Sequence, residues 1–459
     1  MRKGKLIGLL AMTAAFLLAG CSGSVETGPV PTITPRPTVT PAPTPTPVVI
    51  VENPVEEKQE TVYDTKKYTE YYETENKLPQ LKVAYQDTFE VGLDVLQIDV
   101  TEEKRKEIVL SQYNTIGCKE DLSPKILMDY EATRAAGNSK RIVLDFSGAD
   151  VILKFAQENN IPVRGPRLIT ADTPDWAYTK DYDEDQVTVT VDEKGTKTTT
   201  IEYASADVMQ ARMENYIKDV MEYCNTNYPG LIISWQVLDD PITASEQNDK
   251  KYSANHWMKF IGEDYVLRAM EQARACATAE QKLLVSQDAL DEVNTLKAAA
   301  SLFQSLADEN LIDGIAIQAK YGNNGPNVLD MGTMMETLAK TGLELHFTEF
   351  YVDSNDGNQG DLDKTAEEML ARSTKRYKSY MTNFTNYKAK MSYNVVSVTF
   401  EGLSNETSNV NQPKDYYDIK TFQTVHGVRC YSYAYLFDEE LKPMTTFFAA
   451  MGDVSIKAY

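Results

Sequence analysis

Histidine, tryptophan and cysteine are all scarce: three, three and five in 459 residues. His256, His346 and His426 stand far apart and form no ligand spacing, so no metal centre is expected. Cys118, Cys224, Cys276 and Cys430 fit no metal motif either; their even number permits disulfides outside the cytosol without revealing a pairing, and buried free thiols are an equal alternative. Positive charge is in deficit, 46 basic against 68 acidic side chains for a net charge of -22, and no Lys/Arg cluster interleaves with aromatics. A phosphate backbone would be repelled, which excludes nucleic acid as a partner. A neutral polymer would not be, and 27 tyrosines leave aromatic surface for one. Beyond the first twenty residues no apolar run reaches the roughly 18 needed to cross a bilayer.

That first segment, MRKGKLIGLLAMTAAFLLAGC, has a basic start (Arg2, Lys3, Lys5), an apolar stretch from Leu6 to Leu18, and small residues before Cys21. It reads as an export signal over residues 1–20. LLAGC resembles a bacterial lipobox, which implies cleavage before Cys21, lipidation of that cysteine, and a chain anchored by lipid to the extracellular face of the cell membrane. Residues 21–77 follow as a tether: a Pro/Thr-rich part with no apolar face to bury, then a charged, tyrosine-containing spacer from residue 49.

From Leu78 to Tyr459 short β-branched runs alternate with longer helical patterns. Eight strands are expected, at 89–95, 112–118, 162–169, 231–238, 282–288, 312–319, 343–350 and 395–402. Between them, stretches such as SGADVILKFAQEN repeat apolar residues at three and four. Near-continuous apolar strands separated by helices point to an α/β fold, a (β/α)8 TIM barrel with insertions, and a doubly wound open sheet is the alternative. QVTVTVDEKGTKTTTIEYA, residues 186–204, alternates strictly about Glu193-Lys194-Gly195 and predicts a β-hairpin inserted after the third strand.

Reacting groups of such a barrel sit at the C-terminal ends of its strands. The fourth strand, in ISWQVLDDPI, ends on Asp239-Asp240, and the seventh, LHFTEFYVD, carries Glu349. Two carboxyls across a cleft suit glycosidic bond cleavage, one as nucleophile or base and one as proton donor. The plainer alternative is that strand-end acids merely face water.

VLDFSGADVILKFAQENNIPVRGPRLITADTPDWAY, YIKDVMEYCNTNYPGLIISWQVLDDPI, IGEDYVLRAMEQAR, NLIDGIAIQAKY, LELHFTEF, VTFEGLS and YLFDEELKPMTTFFAAM follow the order and spacing of glycoside hydrolase family 10, which the chain resembles over about residues 80–455. The resemblance implies a (β/α)8 barrel, a retaining endo-β-1,4-xylanase, a β-1,4-linked xylan-like polysaccharide or oligosaccharide as partner, and no cofactor; the chain is expected to be a monomer. It also implies that Glu349, within Thr348-Glu349-Phe350, takes the nucleophile's place. The family's Trp-Asp-Val-Val-Asn-Glu becomes Trp235-Gln236-Val237-Leu238-Asp239-Asp240 here, so Asp240 falls in the acid/base place and Asp239 in that of a sugar-binding amide.

Other positions depart from the family pattern. Arg-Gly-His-Thr-Leu-Val-Trp-His becomes Arg164-Gly165-Pro166-Arg167-Leu168-Ile169-Thr170-Ala171, and the early sugar-gripping cluster is replaced around Lys119, Glu120 and Ser123. Gln-Ser-His becomes Gln318-Ala319-Lys320, and the tryptophan of the Trp-Gly step is Glu401 before Gly402. Two classes of function therefore stand side by side. One is a divergent hydrolase in which Asp239, Gln318, Lys320 and Glu401 contact the substrate; the other is a pseudoenzyme that binds a glycan or protein without cutting. Tyr178 and Tyr321 follow strand ends and are candidates to stack on a pyranose ring. Trp176 and Trp235 are expected in the core, whereas Trp257 suits either a helix contact or a rim aromatic.

Overall fold

The computed structural model describes residues 78–191, 197–243, 252–355, 364–407, 414–418, 423–428 and 432–452, the side chains of 197, 414–418 and 423–428 aside. The export signal over 1–20, Cys21, the tether to residue 77, the hairpin tip, Cys430 and the side chain of His426 lie outside the described residues.

Chain order runs β1 (Glu90–Asp94), β2 (Thr115–Gly117), β3 (Val163–Ile169), a hairpin of β4 (Val187–Val191) and β5 (Lys197–Ile201), then β6 (Ile232–Asp239), β7 (Lys282–Gln287), β8 (Gly314–Gly322), β9 (Glu344–Asp353) and β10 (Val395–Phe400). A second hairpin follows, β11 (Lys414–Asp418) and β12 (Gln423–Val428). Eight of these, β1, β2, β3, β6, β7, β8, β9 and β10, pair in that order, and β10 closes on β1. Every barrel pairing is parallel. The architecture is the expected (β/α)8 barrel rather than an open sheet.

Both faces of each strand are covered, which is why the strands read as continuous apolar runs. Helix Ser147–Glu158 turns Ala149, Ile152, Leu153, Phe155 and Ala156 inward, the spacing of three and four read from the sequence. Inside the barrel Trp235 is fully buried against Gly165, where a Cβ would lie 2.5 Å from the indole and 2.8 Å from the Ser234 carbonyl. Glycine is required there by close approach alone. Trp176 packs in the core, edge-on to Tyr130, and Trp257 proves to be a buried helix contact against Tyr178.

The predicted hairpin after the third strand is present, antiparallel from Val187↔Ile201 to Val191↔Lys197. Its base is fastened by Arg212 of helix Ala206–Asn227, a fully buried guanidinium that donates to the carbonyls of Ser139, Ala177, Thr179 and Lys180. Three corrections concern the strands. The second begins at Thr115 rather than 112, because helix Glu103–Gln112 runs on through Gln112, whose side chain accepts from the Leu81 amide. The sixth barrel strand extends to Gly322, since β8 and β9 stay paired through Lys320↔Tyr351 and Gly322↔Asp353. The β11–β12 hairpin was not foreseen. Cys118 and Cys224 are buried free thiols and Cys276 is a half-buried one, so the thiol alternative holds for these three.

Candidate functional site

Two backbone irregularities aim the site. Glu349 has φ +53° and Asp240 φ +44°, left-handed values that cost a non-glycine residue energy and are retained where surrounding structure over-determines them. At Glu349 the register of β9 slips against both neighbours, between Gln318 and Lys320 on β8 and between Val398 and Phe400 on β10. Such a bulge re-aims a side chain at a barrel rim. Asp240 stands just past the end of β6, its amide donating to the Ser286 carbonyl at 2.9 Å. Both carboxyls therefore reach the C-terminal mouth of the barrel, where the strand ends predicted them.

There they enter one network of charges. Three cations surround Glu349: Lys119 Nζ at 3.0 Å and Lys320 Nζ at 3.4 Å meet its Oε2, and Arg167 Nη2 at 3.1 Å meets its Oε1. Arg167 also reaches Asp239 Oδ1 at 3.0 Å, and Lys119 reaches Glu401 Oε1 at 3.2 Å. Thr170 donates to Asp239 Oδ2 at 3.0 Å. Gln318 Nε2 lies within hydrogen-bonding distance of Asp239 Oδ1 at 2.9 Å, Asp240 Oδ1 at 3.1 Å and Ser286 Oγ at 3.0 Å. Asp240 Oδ1 further accepts from the Asp288 amide at 2.6 Å.

Protonation follows from this arrangement. Burial alone would raise the Glu349 carboxyl, but Lys119, Arg167 and Lys320 outweigh it and hold the pKa down to about 2. Burial works against the charge on Lys119 and Arg167 too, yet their acidic neighbours keep both above their ordinary values. Asp240 moves the other way, to about 6, through burial first and the neighbouring Asp239 second. Asp94, at the end of β1, is pushed to about 7, chiefly by burial. At neutral pH the mouth thus holds Glu349 firmly ionised, Asp94 near its midpoint and Asp240 about one unit past its own, mostly ionised.

Beside the network opens a cavity of about 290 Å³ bounded by the ends of β1 and β10 and the loop after β2; Asp94, Lys119, Arg167, Glu401 and Tyr435 line it. A much smaller space of about 20 Å³ lies below, against Glu349, Gln236 and Thr399. Of the sequence candidates, Glu349, Asp240, Asp239, Gln318, Lys320 and Glu401 come together. Two do not. Tyr321 is a correction: its ring packs on Phe350 of β9 and on Tyr380 of helix Ala366–Ala389 with the hydroxyl buried, because that helix covers this side of β8. Tyr178 is another, 1 % exposed and enclosed by His256 and Trp257, so neither ring offers a face to a sugar. Gln318 is buried and links carboxyls and Ser286 rather than standing free for substrate. Asp94 was missed; a carboxylate ending the first apolar strand, FEVGLD, was its only signal. Among the described residues no group of three or more His, Cys, Asp and Glu could hold a metal ion.

The sequence pattern of glycosyl hydrolase family 10 matches residues 80–452, most of the chain and all of the barrel. The chain belongs to family 10. Endo-1,4-beta-xylanase B of Butyrivibrio fibrisolvens is 26% identical over 332 residues, covering 72% of this chain and 48% of that protein, so the chain spans about half the length of that relative. A putative endo-1,4-beta-xylanase of Caldicellulosiruptor saccharolyticus is 31% identical over 266 residues, 57% of this chain and 78% of the relative. Among solved structures, a xylanase from Paenibacillus barcinonensis in complex with a conduramine derivative superposes with a TM-score of 0.64 at 22% identity, over 82% of this chain and 99% of that one. The family 10 barrel is thus shared at low identity.

Proposed function

We propose that this family 10 protein is directed at a β-1,4-linked polysaccharide, xylan or a related polymer, and binds it at the barrel mouth without the family's retaining hydrolysis. The observation that carries the reading is the triple ion pairing of Glu349. In the retaining mechanism that carboxylate attacks the anomeric carbon. A carboxylate with both oxygens engaged by cations, and with its pKa lowered to about 2, has given up basicity and is a weaker nucleophile for that attack. The acid/base place adds to this. Aspartate is one carbon shorter than glutamate, about 1.5 Å, and a misplacement near 1 Å costs on the order of 100-fold in rate.

A second reading has its own support. The Asp240 carboxyl, raised to about 6, would be half protonated near that pH and so suits a proton donor to a leaving oxygen. On that reading the protein is a retaining endo-β-1,4-xylanase, with Glu349 as nucleophile once a bound sugar draws its cations away. Reducing-sugar release from xylan and from mixed-linkage β-glucan, wild type against Glu349→Gln, decides between them. Equal background release by both is the expected result; release by the wild type that Glu349→Gln abolishes supports hydrolysis. Affinity electrophoresis in the same polymers tests binding, and unaltered migration in all of them would end the glycan reading.

We also propose that lipid on Cys21 holds the barrel at the outer face of the cell membrane, with residues 21–77 as its tether. The LLAGC sequence behind a basic, then apolar, start supports this.

A further inference from the structure

Three residues line both spaces at the barrel mouth: Asp94, Lys119 and Arg167. Glu349 lines only the inner space, of about 20 Å³, and Thr170 and Glu401 line only the outer one, of about 290 Å³. The inner space has room for a single water molecule, and a pyranose ring is several times larger. The outer one stands at the lower end of the roughly 300–1,000 Å³ usual for small-molecule sites, room for a disaccharide rather than a longer segment.

Ion pairs hold the two spaces apart. Lys119 and Arg167 meet different oxygens of Glu349, and each is anchored a second time, Lys119 by Glu401 and Arg167 by Asp239. Asp239 is fixed in turn by Thr170 and Gln318. A cation tied at both ends does not swing aside without stranding a buried carboxylate, which is costly. The sequence accounts for where the volume went. Relative to the family pattern Arg167 replaces a threonine, whereas Thr170 and Glu401 each replace a tryptophan. A long side chain therefore stands beside Glu349 where the pattern has a short one, and two smaller side chains border the outer cavity where it has indoles.

We propose that Lys119 and Arg167 form a fixed partition across the mouth, so that a neutral oligosaccharide lodges in the outer cavity, displaced from Glu349 toward the ends of β1 and β10, and that Arg167 determines how far it penetrates. The inference rests on the reading of the barrel mouth as a glycan site and specifies where in that mouth the sugar lies. The partition still offers donors to the outer side, because an ammonium has three hydrogens and a guanidinium five, and their ion pairs do not use them all. Ser123 and the exposed Asp172 supply acceptors on the same lining. Donors and acceptors side by side suit sugar hydroxyls, which are both.

Calorimetric titration of the full-length chain with di- and trisaccharides of the β-1,4-xylose and β-1,4-glucose series, and a crystal structure with the tightest of them, test this. In the wild type the sugar is expected in the outer cavity with the pairs of Lys119 and Arg167 to Glu349 intact. Its di- and trisaccharide affinities should agree within about twofold, because a third ring lies outside the cavity. Arg167→Thr should join the two spaces, bring a ring against Glu349 and favour the trisaccharide by about tenfold. Lys119→Ala removes the other half of the partition and should move the length preference in the same direction, which keeps the test open if Arg167→Thr does not fold. Lost packing alone would lower both affinities together and leave their ratio unchanged. Sugar in contact with Glu349 in the wild type, or a length ratio that neither substitution moves, overturns the proposal and leaves the glycan reading intact. Binding of none of the oligosaccharides by the wild type removes both.

Discussion

Replacing Glu349 by glutamine isolates the contribution of its three cations to folding. The unfolded carboxyl titrates near 4.3, and in the barrel it titrates at about 2. At 1.36 kcal/mol per unit, the ionised form is favoured by about 3 kcal/mol in the folded state. The sign follows from a depressed pKa: the stabilisation is complete above the unfolded value and is lost as pH falls through the folded one. Glutamine cannot ionise and leaves Lys119, Arg167 and Lys320 without their common anion. Urea unfolding of wild type and Glu349→Gln should therefore differ by about 3 kcal/mol at pH 7 and by roughly half of that at pH 3, the two converging near pH 2. A loss of this size leaves a domain of ordinary stability folded. A difference that is the same at pH 3 and pH 7 would refute the electrostatic account and reduce Glu349 to a packing residue.

Asp94 should behave with the opposite sign. Its carboxyl is raised to about 7, so the folded barrel loses stability as pH rises from about 4 to 7, and Asp94→Asn should gain on the wild type over that interval, by on the order of 2 kcal/mol after allowance for its partial exposure. Urea midpoints at pH 5 and pH 8 measure this, and a variant advantage that does not grow between them contradicts it. Arg212→Met should cost about 3 kcal/mol, because four loop carbonyls lose a buried charged donor, and should speed proteolytic cleavage between residues 177 and 204; unchanged urea midpoint and cleavage would show that the guanidinium is dispensable. Cys21→Ala, expressed in a bacterial host, should move the protein from the detergent phase to the aqueous phase on phase separation; retention in the detergent phase would mean that something other than a lipid on Cys21 holds it.

Much of the barrel was legible in the chain because both of its periodicities are local. Runs such as LIISWQVL are apolar throughout since β6 is covered on both faces, and SGADVILKFAQEN repeats at three and four since one face of its helix meets the sheet. The same locality announced the β4–β5 hairpin. Where propensity was outvoted, as at Gln112, the cause was a contact with Leu81, 31 residues away, that a window along the chain does not contain.

The sequence by itself determined the order of strands and helices and the carboxyls at the ends of the fourth and seventh barrel strands. Only the tertiary structure decided that Arg167, Lys119 and Lys320, which are 48 to 201 residues apart along the chain, converge on Glu349, that Asp94 joins them, and that Tyr178 and Tyr321 face inward. Barrel closure is the reason. It brings β1 against β10 and sets ends of strands remote in sequence around one mouth, where charges act across a few ångströms of space regardless of their separation along the chain.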